Sequence, residues 1–489
     1  MAVAYPFLPE YKVPMRFILG APAALIACSV FSSVNVSAQD QQTNPPTQTP
    51  DQPTAVPFFG SPQPTNTPPE TPTPPSAVQF FGNPQTEPAS ASGYAGALPA
   101  APLAGTSQLA APPPITQAPA LRTAGLVHWG FIHLYPFIGY DVSYGNNLQS
   151  APGQHVDTLI NALTPGILIR LGDHWNLSYA PTLRFYSSSQ FKDSVDQIVN
   201  LSGVTTYQDW LLSFSQGYSA TSQPLIETGS QLNQDIYSTT LGASHSLGSH
   251  LSLDMGVNQN FRFIDQNQQL GFAPTTQSLE WSTLEWLNYK FAPRLSAGIG
   301  VGFTYDDVSP GSDMVSEQFQ GRINWVATDK FTFSVSGGID YREFLSSPTP
   351  NLLSPLFAGS VQYHLFENTI LSLTASSSVT PSYYENSVSQ VDSVMGGLHQ
   401  RLFKYLALDL SGGYNSTTYH QTTTVVNTAN VNNYETTSVN ARLSTVFFKA
   451  LTVALYYQQN FVYSNNGNAN SSLYNYTTKQ GGLSLSYHF

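Results

Sequence analysis

At 489 residues the chain is long enough for three soluble domains or one large barrel, and only 9% of its residues are charged, against about 25% in globular proteins. The formal net charge of -12 supplies no basic footprint for nucleic acid. A single cysteine, Cys28, excludes an internal disulfide.

The first element in the chain is an export signal. Lys12 and Arg16 flank the apolar run FILGAPAALIACSVF, and Val36-Ser37-Ala38 supplies the small residues that precede a cleavage point. Residues 1–38 therefore read as a signal peptide cut between Ala38 and Gln39. Leu25-Ile26-Ala27-Cys28 gives a rival outcome, because it resembles a bacterial lipobox and would leave Cys28 lipidated. A retained transmembrane helix suits the short core badly, since Pro22 breaks it.

Residues 39–124 shift to Pro, Thr, Gln and Ala, as in QPTNTPPETPTPP. Such a segment buries too little apolar surface to offset its ordering entropy, so it reads as a disordered periplasmic tail. Within it AVPFFGSPQ is echoed as AVQFFGNPQ. The repeat is either a docking motif presented twice for avidity or a duplication without consequence.

From residue 125 onward one supersecondary unit repeats about every forty residues, the span of two strands, a tight turn and a longer loop. LGDHWNLSYAP, LGSHLSLDMGV, FAPRLSAGIGV, ATDKFTFSVSGG, LFKYLALDLSGG and FFKALTVALYYQ each place a short turn before alternating residues. Longer polar connections such as GNNLQSAPGQH, DDVSPGSD and STTYHQTTTVVNTANVNNYE lie between them. The pattern predicts an all-β fold, a transmembrane antiparallel outer-membrane barrel of about 18 strands. The alternative is 16, if Asp193 to Ser219 is one long loop. A hairpin there is the better reading, because Trp210, Leu212, Phe214 and Tyr218 share one parity.

Alternation also sorts side chains between lipid and lumen. Arg184, Arg262, Arg322, Arg342, Arg401 and Arg442, with Asp254, Asp340 and Asp409, fall on the polar parity and are the pore-lining candidates; Arg170 joins them less securely. An arginine on the lipid face costs about 2–4 kcal/mol at the bilayer midplane, which is why a true barrel turns it inward. These charges either set a field that selects solutes or form an interior network that holds the wall in shape. Tyr135, Phe137 and Tyr186 share the inward parity, where rings could stack on sugar faces or serve as girdle aromatics.

The chain closes on GGLSLSYHF, with Leu485, Tyr487 and Phe489 on one parity. An aromatic there sits at headgroup level, and the pattern resembles the signal read by the outer-membrane barrel assembly machinery. The expected partners are thus outer-membrane lipid and that machinery, with a polysaccharide solute or an export partner, and no nucleic acid.

HLYPFIGYDVSYGNNL followed by LTPGILIRLGDHWNLSYAPTLRFY resembles the β-barrel porin family found with exopolysaccharide-production operons. Tyr144, Asn146 and Asn147 match its first turn loosely, with Gly145 and Asn146 in place of paired acids; Pro165 matches its second strand, and Arg184 and Tyr186 its third. The resemblance implies an outer-membrane pore, a setting of polysaccharide secretion and no catalytic residues. Three functions follow for comparison. The first is a passive channel of sixteen to eighteen strands, wide enough for water unless a loop plugs it. The second is an outer-membrane lipase or protease, for which the scattered histidines give neither a G-x-S-x-G elbow nor a metal spacing; no metal or other cofactor is expected. The third is an adhesive barrel that tethers a periplasmic partner through its tail.

Overall fold

A computed structural model describes residues 127–151, 154–228, 230–265, 275–345, 347–403, 405–422, 433–448, 450–464 and 475–489. The signal segment with Cys28, Ala38 and Gln39, and the Pro-rich stretch 39–124, lie outside the described residues.

The first described strand, β1 (Val127–Trp129), doubles back on β2 (Ile132–Ala151). Hairpins then run through β3 (Gln154–Leu171), β4 (Trp175–Tyr179), β5 (Thr182–Tyr186), β6 (Ser194–Tyr207), β7 (Trp210–Leu225) and β8 (Ser230–Ser246). The series continues with β9 (Leu251–Ile264), β10 (Gln277–Ala292), β11 (Leu295–Ser309), β12 (Met314–Thr328), β13 (Phe331–Phe344) and β14 (Leu352–Phe366). It ends with β15 (Thr369–Pro381), β16 (Ser387–Leu402), β17 (Leu406–Gln421), β18 (Tyr434–Phe447), β19 (Leu451–Ser464) and β20 (Tyr476–His488).

β4 and β5 are two halves of one barrel strand, broken at Ala180-Pro181 because proline has no N–H to give the ladder. With β1 set aside, the wall is a closed antiparallel barrel of 18 strands. β20 closes on β2 from Phe137↔His488 to Asn146↔Lys479, so no sheet edge faces lipid. Asp193 to Ser219 does form the hairpin, with β6 paired to β7 from Gln197↔Ala220 to Tyr207↔Trp210.

Turns at the end that carries His488 are two to four residues long, whereas those at the opposite end reach twelve. The short-turn end is periplasmic and the long-loop end extracellular. Leu241, Ile299, Phe319, Leu373, Val439 and Leu455 face outward as the apolar belt. Tyr237, Trp281 and Tyr341 ring the outer interface, and Tyr289, Trp325 and Tyr487 the inner one. Phe489, half exposed, packs edge-on against Tyr487 with ring centroids 4.9 Å apart, and its N–H bonds Pro136 O at 3.1 Å.

Two local expectations change. GNNLQSAPGQH is not a loop: β2 runs through it to Ala151 across a bulge between Gly145 and Leu148. The bulge is held by Asp157, which accepts from Asn146 Nδ2 (2.9 Å), Asn147 N (2.8 Å) and Tyr144 OH (3.1 Å). Asn147 takes φ 60°, a conformation asparagine tolerates better than most residues. In DDVSPGSD the strand β11 continues to Ser309, leaving only residues 310–313 as the turn.

A further feature concerns the lipid face. Glu285, midway along β10, points outward among Thr283, Val301, Phe303 and Phe319. A carboxylate facing hydrocarbon is destabilising, by less than the arginine figure. Glu285→Leu is therefore expected to raise the barrel's stability by about 1–2 kcal/mol in urea titrations of vesicle-embedded protein. Loss of stability instead would mean that the hydrogen bond between Thr283 and the carboxylate outweighs the cost of exposing it to lipid.

Candidate functional site

Inward side chains of neighbouring strands are Ser, Thr, Asn and Gln for much of the wall, and the charges among them meet in pairs. On β8 to β12 one network crosses five strands. Asp254 Oδ2 accepts from Arg322 Nη2 (2.5 Å) and Asn288 Nδ2 (2.5 Å), while its Oδ1 accepts from Ser244 Oγ (2.6 Å). Arg322 Nε also donates to Asn288 Oδ1 at 2.7 Å, and its guanidinium lies 4.4 Å from the Trp286 ring centroid. The intervening strand β11 contributes Gly298 and Gly300 here. A Cβ at 298 would sit 2.4 Å from Asn288 Oδ1, and one at 300 would sit 2.8 Å from Trp286, so glycine is what lets Arg322 reach across.

Nearer the extracellular end, Arg342 is 2% exposed. It donates to Asp306 (3.3 Å), Asp340 (3.1 Å) and the backbone oxygen of Val379 (3.1 Å). Ser316 Oγ gives Asp340 a further bond at 2.5 Å, and Glu280 stands opposite Asp306 in the β10–β11 register. On β5 and β6, Arg184 Nε bonds Asp196 at 2.7 Å. Charged side chains this thoroughly buried and paired neutralise one another locally.

Toward the periplasmic mouth the interior is wetter. His399 and Asp409 meet at 2.6 Å with 35% and 45% exposure, Arg442 lies opposite Asp409 in register, and Arg401 is exposed. Arg170 stands 5.3 Å from the Tyr135 ring centroid. The other inward aromatics are already in contact: Phe137 lies over Gly166 and against His488, and Tyr186 stacks on Phe191 at 5.2 Å. Ser244 and His245 point to opposite faces, His245 stacking on Trp210 at 4.6 Å.

The extracellular end holds what the sequence reading missed. An 18-strand wall with ~4.8 Å strand spacing and ~40° tilt is roughly 35 Å across, so opposite walls cannot touch. Two hairpin tips nevertheless meet inside. The β7–β8 tip extends past its last lateral pairings, Gln197↔Ala220 and Gln234↔Ile264, and is buried on both faces from Pro224 to Thr228. The β15–β16 tip leaves β14 after Phe357↔Ser377. Glu227 Oε1 accepts from Ser382 Oγ (2.7 Å) and Tyr383 N (2.9 Å). Tyr384 OH bonds Glu227 O (2.5 Å) and Tyr383 OH bonds Gln234 (2.8 Å). Burial pushes the Glu227 carboxyl above the usual carboxylate range, while these donors and Arg262 pull it back.

Apolar contacts join the same tips. Leu225, Leu232, Ile264 and Tyr383 form one cluster; Ile226 joins Tyr434, Val462 and Tyr476 on the far wall. Arg262 is tied to the β15–β16 tip, donating to Pro381 O (3.3 Å) and Ser382 O (2.9 Å) with its guanidinium 4.1 Å from the Tyr383 ring centroid.

No family model and no curated protein matches the sequence. Solved structures do. The FrpB iron transporter of Neisseria meningitidis aligns at 10% identity and TM-score 0.39, over 69% of this chain and 63% of its own. OccK11 of Pseudomonas aeruginosa aligns at 11% and 0.36, over 73% and 96%, and OccAB4 of Acinetobacter baumannii at 13% and 0.37, over 73% and 98%. This chain thus spans less than two thirds of the FrpB length. Superpositions this loose carry no solute or mechanism across, and the assignment stands on the barrel's own closure, apolar belt and aromatic girdles. The protein is an 18-strand β-barrel of the bacterial outer membrane.

Proposed function

We propose that the barrel is a channel for polar solutes, with a saccharide the best-suited class and export of a surface polysaccharide the setting its family resemblance suggests. The observation that carries this is the interior of the closed wall. Hydroxyl and amide side chains dominate it, and Arg184, Arg322 and Arg342 are neutralised by Asp196, Asp254, Asp306 and Asp340. Beyond the charged periplasmic mouth, a passage lined by hydroxyl and amide groups with its charges paired favours a hydroxyl-rich solute over a small ion of either sign. Two hairpin tips bond to each other across the extracellular mouth and narrow it. That crossing favours a second reading, a closed barrel whose tail from Gln39 to Ala124 tethers a periplasmic partner.

Planar-bilayer recordings of the chain beginning at Gln39 separate the two. The channel reading expects discrete openings under applied voltage, with current reduced by an added oligosaccharide. Heat-modifiable, folded barrels that never open would favour the tether; deleting residues 39–124 should then abolish capture of that partner.

A further inference from the structure

We infer that the β7–β8 tip is a movable flap and the β15–β16 tip its fixed jamb, so that breaking the Glu227 latch opens the channel to the outside. The inference rests on the channel reading above.

The two tips are held very differently. The jamb is pinned by its backbone: Arg342 holds Val379 O, Arg262 holds Pro381 O and Ser382 O, and Thr276 bonds Ser382 O at 2.6 Å through its hydroxyl and Tyr383 O at 3.0 Å through its N–H. β16 also stays paired with β17 as far as Ser387↔Gln421. Moving the jamb would strip buried guanidinium groups of their acceptors, which is costly.

Beyond its base the flap's backbone is tied to the jamb rather than pinned by a buried guanidinium: Glu227 O accepts from Tyr384 OH at 2.5 Å. Its own ladder runs unbroken to Leu225↔Ser230, so it moves as a unit without losing a backbone bond. Its base is marked by Asp196, which accepts from Ser222 N and Gln223 Nε2, each at 3.0 Å, and by Gln231, which exchanges bonds with the Lys192 backbone at 2.9 Å. Past that base it is held by Glu227, on Ser382 and Tyr383 through its carboxylate and on Tyr384 OH through its backbone oxygen, and by apolar contacts of Leu225 and Ile226. Water can replace the polar bonds once the flap lifts. The raised carboxyl pKa of Glu227 is consistent with a buried acid that gains by reaching solvent.

The test uses the full mature chain with Cys28 replaced wherever it is retained. Glu227→Cys/Ser382→Cys, joined by a short reducible bifunctional thiol reagent, is expected to cut channel openings at least tenfold relative to the same variant capped with a monofunctional reagent, and reductant should restore them. Glu227→Ala/Ile226→Ser is expected to open at least tenfold more often than the unaltered chain. A second readout does not depend on current. Met395→Cys, on the inward face of β16 and periplasmic of its tip, should react with a membrane-impermeant maleimide added outside cells when the latch is broken and be protected when it is present.

Openings that ignore both the cross-link and the latch variant, with Met395→Cys labelled equally in all, would overturn the flap while leaving the channel standing. Labelling that follows the latch without any current would keep the flap and remove the channel. Neither current nor labelling in any variant would overturn both.

Discussion

Arg342→Met is expected to lower the barrel's unfolding free energy by about 3–5 kcal/mol. The guanidinium is 2% exposed and serves Asp306, Asp340 and Val379 O together. Removing it leaves two carboxylates inside the wall, with Glu280 close behind Asp306 in the register. Buried charges without partners account for most such losses, and the attraction that is forfeited is the smaller part. A compensated variant separates the two contributions. Asp306→Asn/Asp340→Asn/Arg342→Met leaves no uncompensated charge at the three sites and should recover more than half of the loss in urea titrations of vesicle-embedded protein. Recovery of none of it would mean that packing around the arginine stem, rather than charge, is what the wall depends on.

The contrast between these sites and the hairpin tips shows where sequence is informative about a barrel. Parity is a local property of an extended chain, so the inward placement of Arg184, Arg322, Arg342 and Asp254 is legible from the residues on either side of them. Strand number is legible for the same reason, since each tight turn interrupts a period-2 run. Who pairs with whom is not legible. Arg322 meets Asp254 from three strands away, over two glycines, and nothing in the β12 sequence specifies that reach. The flap was missed because it breaks the rule that finds strands. In SQPLIETGSQL, Leu225 and Ile226 stand side by side, and both are buried because the tip has left the wall. Adjacent apolar residues in a polar connection were the available signal. The Asn146-Asn147 bulge escaped because Asp157, ten residues on, supplies its partners.

Asp254→Leu should cost about 3–5 kcal/mol, because it takes the carboxylate from the Arg322 guanidinium, only 10% exposed, and the acceptor from Ser244 Oγ. Arg322→Met should cost less, since Asp254 keeps two donors of its own. The double variant is the informative one. If the pair serves the wall, Asp254→Leu/Arg322→Met exchanges a buried ion pair for apolar contacts against Trp286, and such exchanges are often neutral. Its loss should then be well below the sum of the single losses, a coupling of at least about 1 kcal/mol in a double-mutant cycle. Ion selectivity supplies the opposing test. A pair neutralised within the wall contributes little field to the passage, so the reversal potential in a salt gradient should be unchanged in the double variant. A shift would place Asp254 and Arg322 in the solute's path, and the arginines would then be read as a selective lining rather than as the braces of a wide barrel.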